Sequence, residues 1–190
     1  MLQQHEGKIR RLRLPYPYMK MRRLITSAEI LRLREEARRK GAMPIRVPLS
    51  LRSLAGPQKD ARELETAALV NTGFEAERLE CSLPVRAAEA LGLWPELPAG
   101  ALRMEVDTYG GKAIVHAIPD ALVVKIGVAS SLVREVTAWA VITQTDNEVV
   151  LSDALAEALG IVALKMKSGE WLLAGEPFDL PRASVSPRFF

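Results

Sequence analysis

The 190-residue sequence has one cysteine, two histidines and few aromatic residues, which make up 5% of the chain. A lone Cys81 excludes a disulfide framework, and His5 and His116 cannot assemble a metal site of familiar ligand spacing. Cys81 is expected to be a small packed apolar residue. No apolar run approaches the roughly 18 residues that span a bilayer. The basic start leads into no signal-type apolar core. These absences lead to the expectation of a cytoplasmic protein with no membrane segment, no metal and no cofactor.

Hydrophobic residues make up 48% of the chain and charged residues 26%, the balance of an ordinary globular protein. The length suits one domain with an extension. Charge is unevenly spread. Residues 1–40 hold 12 Lys or Arg against 4 Glu, a net of +8, whereas the remaining residues are net −5. Between residues 8 and 23, Lys8, Arg10, Arg11, Arg13, Lys20, Arg22 and Arg23 surround Pro15-Tyr16-Pro17-Tyr18. Basic residues interleaved with aromatics suit nucleic-acid phosphates through counterion release. A flexible or partner-docked arm has the same composition. Thr26 to Lys40 predicts an N-terminal α-helix, with Thr26 and Glu29 at capping-box spacing and Gly41 as its stop. Its narrow stripe of Ile30, Leu33 and Ala37 wants a partner surface.

From Pro44 onward the patterning is mostly β with short helices. Ile45, Val47, Leu49 and Leu51 alternate, the period of a strand buried on one face, and Pro48 marks an edge or a bulge. Residues 55–60 are a turn, and Glu63 to Val70 the returning strand. Asn71-Thr72-Gly73 breaks it sharply. A short extended piece runs through Leu83, and Pro84 to Leu91 reads as a helix stopped by Gly92. Ala88-Glu89-Ala90-Leu91-Gly92 recurs letter for letter as Ala156-Glu157-Ala158-Leu159-Gly160, after the strand Val149 to Leu151. Between the two copies lie a proline-rich connector (residues 94–100), a hairpin of Leu102–Val106 and Ala113–Ile118 turning at Gly110-Gly111, and strands Ala121–Ile126 and Val133–Thr143. Trp139 is assigned to the core. Ile161–Met166 and Trp171–Leu173 form a last pair turning at Ser168-Gly169, and the proline-containing tail from Glu176 shows no strand or helix period.

An apolar strand ending at Leu69-Val70-Asn71-Thr72-Gly73, then Leu83-Pro84 and Leu91-Gly92-Leu93, resembles the retropepsin-like aspartic proteases. Val149-Val150-Leu151-Ser152-Asp153 and Leu159-Gly160-Ile161 match that family's second motif, and the resemblance covers about Ile45 to Leu173. Ser152 departs from the usual Gly. Asn71 stands where the family has its catalytic Asp. The resemblance implies a closed β-barrel of the acid-protease fold over residues 44–175, preceded by the basic arm and helix of 1–43 and followed by the tail of 176–190. It also implies a homodimer, with Thr72 bonding across the two-fold axis and Gly73 permitting the tight turn. Tyr109, Gly110, Gly111 and Lys112 would form the tip of a flap over a peptide or protein ligand.

In that family two carboxylates share one proton and act together on a bound water. A carboxamide at Asn71 cannot be the general base, although it can hydrogen-bond its twin. Glu65, Glu75, Glu77 and Asp153 do not map onto the water-binding position. The expected function is a homodimeric peptide-binding module without proteolysis. The alternatives are an endopeptidase whose Asp at 71 is replaced in this sequence, and a nucleic-acid-binding dimer using the basic arm.

Overall fold

The computed structural model describes residues 44–54, 61–108, 111–127 and 132–190. The basic arm, the helix of 26–40, the turn of 55–60 and the flap residues Tyr109 and Gly110 lie outside the described residues.

Six strands close into a barrel. They are β1 (Arg46–Ser53), β2 (Glu63–Val70), β3 (Glu80–Pro84), β5 (Gly111–Ile126), β6 (Arg134–Thr143) and β7 (Val149–Leu151), in the order β1-β2-β7-β3-β6-β5 and back to β1. β4 (Leu102–Thr108) is added outside β5 as an edge. Two pairings are parallel, β2 with β7 and β3 with β6, and the others are antiparallel. A second sheet has the order β10-β9-β8, from β8 (Ile161–Lys165), β9 (Glu170–Leu173) and β10 (Arg182–Ala183). Two one-and-a-half-turn helices, α1 (Val85–Ala90) and α2 (Asp153–Ala158), follow β3 and β7. Among the described residues no helix is long and apolar enough to cross a membrane.

Period-two alternation fills the barrel. Val47, Leu49 and Leu51 of β1 point inward to meet Leu64 and Ala68 of β2, Cys81 and Leu83 of β3, and Ala138, Ala140 and Ile142 of β6. Each fully buried Leu or Ile contributes roughly 1.5–3 kcal/mol relative to an exposed one. Cys81 is fully buried as expected, and burial pushes its thiol up to about 12. Pro48 lies where β1 pairs with β2 alone, since β5 joins only from Leu49. The strand is therefore an edge at its proline and interior beyond it.

Three expectations are corrected. The segments Ala113–Ile118 and Ala121–Ile126 are one strand, because a bulge absorbs the break. Three residues of β5 between Ile118 and Leu122 stand against one of β6, with Pro119 and the positive-φ Asp120 among them. Trp139 is half-buried on the outside of the barrel, since its neighbours Ala138 and Ala140 take the inward positions. The tail is not structureless. β10 pairs with β9, the Ser184 hydroxyl accepts from Arg46 N at 2.7 Å, Val185 N donates to the Arg46 carbonyl at 3.0 Å, and Phe190 packs on the core. The tail is thus tied to the second sheet by β10 and to the barrel by Ser184, Val185 and Phe190.

Candidate functional site

The Asn71 turn sits at the end of β2, immediately beyond the parallel pair Val70 and Leu151. Asn71 Oδ1 accepts from Gly73 N at 3.1 Å and its carbonyl accepts from Phe74 N at 3.1 Å, so the carboxamide closes its own turn. Asn71, Thr72 and Gly73 are exposed.

The chain beyond the turn is stitched to the start of α2. Asp153 N donates to the Phe74 carbonyl at 3.1 Å, and Asp153 Oδ1 accepts from Ala76 N at 3.1 Å and Ala154 N at 2.7 Å. Ser152 is fully buried, and its hydroxyl caps α2 by accepting from Leu155 N at 3.2 Å while also accepting from Glu80 N at 3.1 Å. The same hydroxyl donates to the Arg78 carbonyl at 3.4 Å, and Ser152 N donates to the Glu80 carbonyl at 3.0 Å. All the bonding capacity of that hydroxyl is used. Against the family pattern, Ser in place of Gly reads as a small change. The missed signal is a Ser directly before Asp153-Ala154-Leu155, a helix N-cap signature.

Two open cavities adjoin the turn. One, of about 310 Å³, lies between Val70, Asn71 and Thr72, the α2 residues Ala156 and Glu157, and β8 from Ile161 to Ala163. The other, of about 390 Å³, is bordered by Thr72, Glu75, Ala76, Glu77 and Asp153. The structure therefore gathers three of the four acids considered as stand-ins, while Glu65 remains on β2 outside both cavities. Asp153 is committed to two backbone amides. Among the described residues no three His, Cys, Asp or Glu are arranged to hold a metal ion.

Of the expected flap residues, Gly111 and Lys112 are described, and neither lines these cavities. Thr108 pairs with Gly111, so Gly111, expected in the turn, belongs to the strand β5. Gly111 has a φ of 107°, a conformation open to glycine, and the Thr108 hydroxyl donates to its carbonyl at 2.6 Å. Lys112 pairs with Glu105 across the hairpin.

The outer face of the barrel joins this hairpin to the turn. A single cross-strand row runs Leu102, Ala117, Val141, Ser82, Val150, Leu69, one residue per strand through β4, β5, β6, β3, β7 and β2. Asn71 lies two residues beyond Leu69. Ala117 and Val141 of the row form a second buried apolar cluster with Val115. Val106 and Trp139 pack against it, and Leu102 and Met104 extend it into solvent. Two polar side chains on this face are bonded, Ser82 to Asp146 at 2.6 Å and Thr143 to Thr145 at 2.8 Å. The Arg78 guanidinium covers the Trp139 ring at 4.7 Å from its centroid. Burial raises the pKa of Glu80, which pairs in register with Trp139, and the charge of Arg78 partly offsets that rise.

No protein-family model matches the chain, and no curated protein matches its sequence.

Proposed function

We propose that this barrel is a retropepsin-like peptide-binding module that works as a homodimer and does not cleave what it binds. The observation that carries the reading is the outer-face row, a floor exposed at Leu102 on β4, buried through Ala117, Val141, Ser82 and Val150, and ending two residues short of Asn71. An extended segment pairing with the edge of β4, which is unpaired among the described residues, gains main-chain hydrogen bonds there and apolar contact with Leu102 and Met104 at alternate residues. The repeated order of strand, helix and Leu-Gly stop supports the same ancestry, as do the two parallel pairings that relate β2 to β7 and β3 to β6.

The homodimer is supported by the edge of β8, unpaired among the described residues, and by the apolar cavity between it and the Asn71 turn. An unpaired strand edge beside an apolar surface is the arrangement that self-pairing uses. Two Asn71 carboxamides meeting on the axis carry no charge to repel each other, and they supply no general base.

The turn also favours a second reading, an endopeptidase with Asp at 71, because one carboxylate oxygen of Asp can accept the same Gly73 amide. The test measures peptide cleavage between about pH 3 and 7, the acid range in which a shared-proton dyad works. It compares the chain with Asn71→Asp, each with and without a transition-state-mimicking inhibitor, and follows oligomeric state by sedimentation. The proposal expects peptide binding and dimers from both forms and no cleavage by the Asn form. Monomers at all concentrations, or cleavage by the Asn form, would sink it.

A further inference from the structure

The outer-face floor carries one charged group that its surroundings do not account for. Glu80 and Trp139 occupy the same register position of the parallel β3–β6 pair, so both side chains stand on that floor. The Glu80 carboxylate is half-buried and accepts no hydrogen bond from the described residues, whereas its backbone N–H and carbonyl are both engaged with Ser152. A half-buried carboxylate whose oxygens still reach solvent keeps bonding capacity for a donor that a ligand brings. Arg78 neutralises it only in part. Its guanidinium stands over the Trp139 ring, it closes no ion pair with Glu80 among the described residues, and Arg78 itself is exposed. The ring thus holds a cation that solvent can reach, with an unpaired carboxylate beside it.

We infer that Trp139 and Glu80 form a cation subsite, which takes the Arg or Lys side chain of a bound extended segment in the place Arg78 now holds. The inference rests on the peptide-binding reading of this face. A guanidinium fits both halves of the site, since it stacks on an aromatic ring and presents planar donors to a carboxylate. Arg78 is the site's internal stand-in and competes with the ligand. The charge of the body agrees with a basic ligand, as residues 41–190 carry a net of −5.

The experiment compares two fluorescent heptapeptides in a valine and alanine background, one with a central arginine and one with citrulline, which is nearly isosteric and neutral. Anisotropy on the full chain is expected to show about a tenfold preference for arginine, the size of one stacked and charge-assisted contact. Glu80→Gln and Trp139→Leu should each abolish that preference, Glu80→Gln without weakening the citrulline peptide. Arg78→Ala should tighten the arginine peptide several-fold.

A parallel titration with N-acetylarginine amide follows the Trp139 indole N–H by NMR. Equal affinity for the two peptides overturns the subsite and leaves the groove standing. An indole shift with no peptide binding supports the subsite and removes the groove. Neither response rejects both. If Glu80→Gln changes sedimentation in place of peptide affinity, a second copy supplies the cation, and the proposal is overturned.

Discussion

The Arg134 guanidinium lies across Gly160, and a β-carbon built on that glycine would stand 2.8 Å from Arg134 Cζ. Gly160 ends α2 at a φ of 67°, and Gly92 ends α1 at 71° with Arg62 over it, the corresponding distance to Arg62 Cδ being 3.3 Å. Each Leu-Gly helix stop in the repeated sequence is therefore roofed by an arginine from another strand or its approach. Both arginines are tethered, Arg62 through Nη1 to the Glu89 carbonyl at 3.4 Å. Arg134 Nη2 is held at 2.5 Å by the Ala174 carbonyl, and its Nε is buried.

Gly160→Ala is accordingly the more damaging of the two substitutions. Left-handed backbone costs a non-glycine residue about 1–2 kcal/mol at either site, and at residue 160 the closer clash with its arginine adds to it. Urea unfolding should show a loss of about 3 kcal/mol for Gly160→Ala and about 1–2 for Gly92→Ala, these sizes being typical of backbone strain and overpacking. Pairing Gly160→Ala with Arg134→Ala should recover the clash and leave the backbone cost. Equal losses at the two glycines would show that the arginine roof plays no part.

Arg46 and Glu148 form a bidentate pair at 2.6 and 3.0 Å, and each side chain is 12% exposed. The bond raises the pKa of Arg46. The pair ties the start of β1 to the approach to β7, where the tail also crosses. Removing one partner strands a largely buried charge, so Glu148→Leu alone should cost about 2–4 kcal/mol. Arg46→Met with Glu148→Leu should lie within about 1 kcal/mol of the parent, because two charges then escape desolvation together. A double variant as damaged as the single one would show that the pair positions the tail through Arg46 and does more than satisfy charge.

Much of this architecture is legible in the residues because local signals agree. Leucine and valine at alternate positions between residues 45 and 51, Pro84 before a helix and Gly92 and Gly160 after one each point to one structure. Three features were hidden for identifiable reasons. Pro119 looks like a strand terminus until pairing with β6 shows that a bulge absorbs it. Trp139 shares its alternation with Val141 and Thr143, and alternation cannot say which phase faces inward when both are apolar. The two-residue β10 is fixed by bonds to β9 and Arg46, which no local pattern encodes. The Asn71 turn was legible as a turn. The floor leading to it was not, since its row takes one residue from each of six strands.

Two glutamates give opposite pH dependences. Arg182 and the Leu173 amide, at 2.8 Å, hold the Glu176 carboxyl below the usual carboxylate range, the Arg182 bond being the larger cause. Because its folded pKa lies below its unfolded one, the stability it contributes is present above the ordinary glutamate pKa and is lost as pH falls through the folded value. Glu80 is shifted upward by burial, so its ionised form destabilises the fold at neutral pH, and that cost disappears as pH falls into the ordinary glutamate range. Glu176→Gln should therefore be less stable than the parent at pH 7 and converge with it in acid. Glu80→Gln should be at least as stable at pH 7, its advantage also shrinking in acid. Thermal melts from about pH 3 to 8 cover both titrations. A Glu80→Gln protein markedly less stable than its parent at neutral pH would contradict the burial argument.

Ser152→Ala tests whether the turn region and the second helix are one mechanical unit. The alanine keeps the backbone, since Ser152 has an ordinary φ of −67° and ψ of 160°, and removes only the hydroxyl. Two amides, Leu155 N and Glu80 N, then lose their acceptor, and the Arg78 carbonyl loses a donor. A lost cap costs about 1 kcal/mol and each buried unsatisfied amide about 1–3, so a total of about 2–4 kcal/mol is expected. The location of the damage is more diagnostic than its size. Hydrogen exchange should accelerate at Glu80 and Leu155 together, and at Ala76, which depends on Asp153 next in sequence. Acceleration at Leu155 alone would mean that Ser152 is only a helix cap. Acceleration at all three would mean that the segment presenting Asn71, Arg78 and Glu80 is held in place by the helix that follows β7, so a ligand on the outer face and the stability of α2 are coupled.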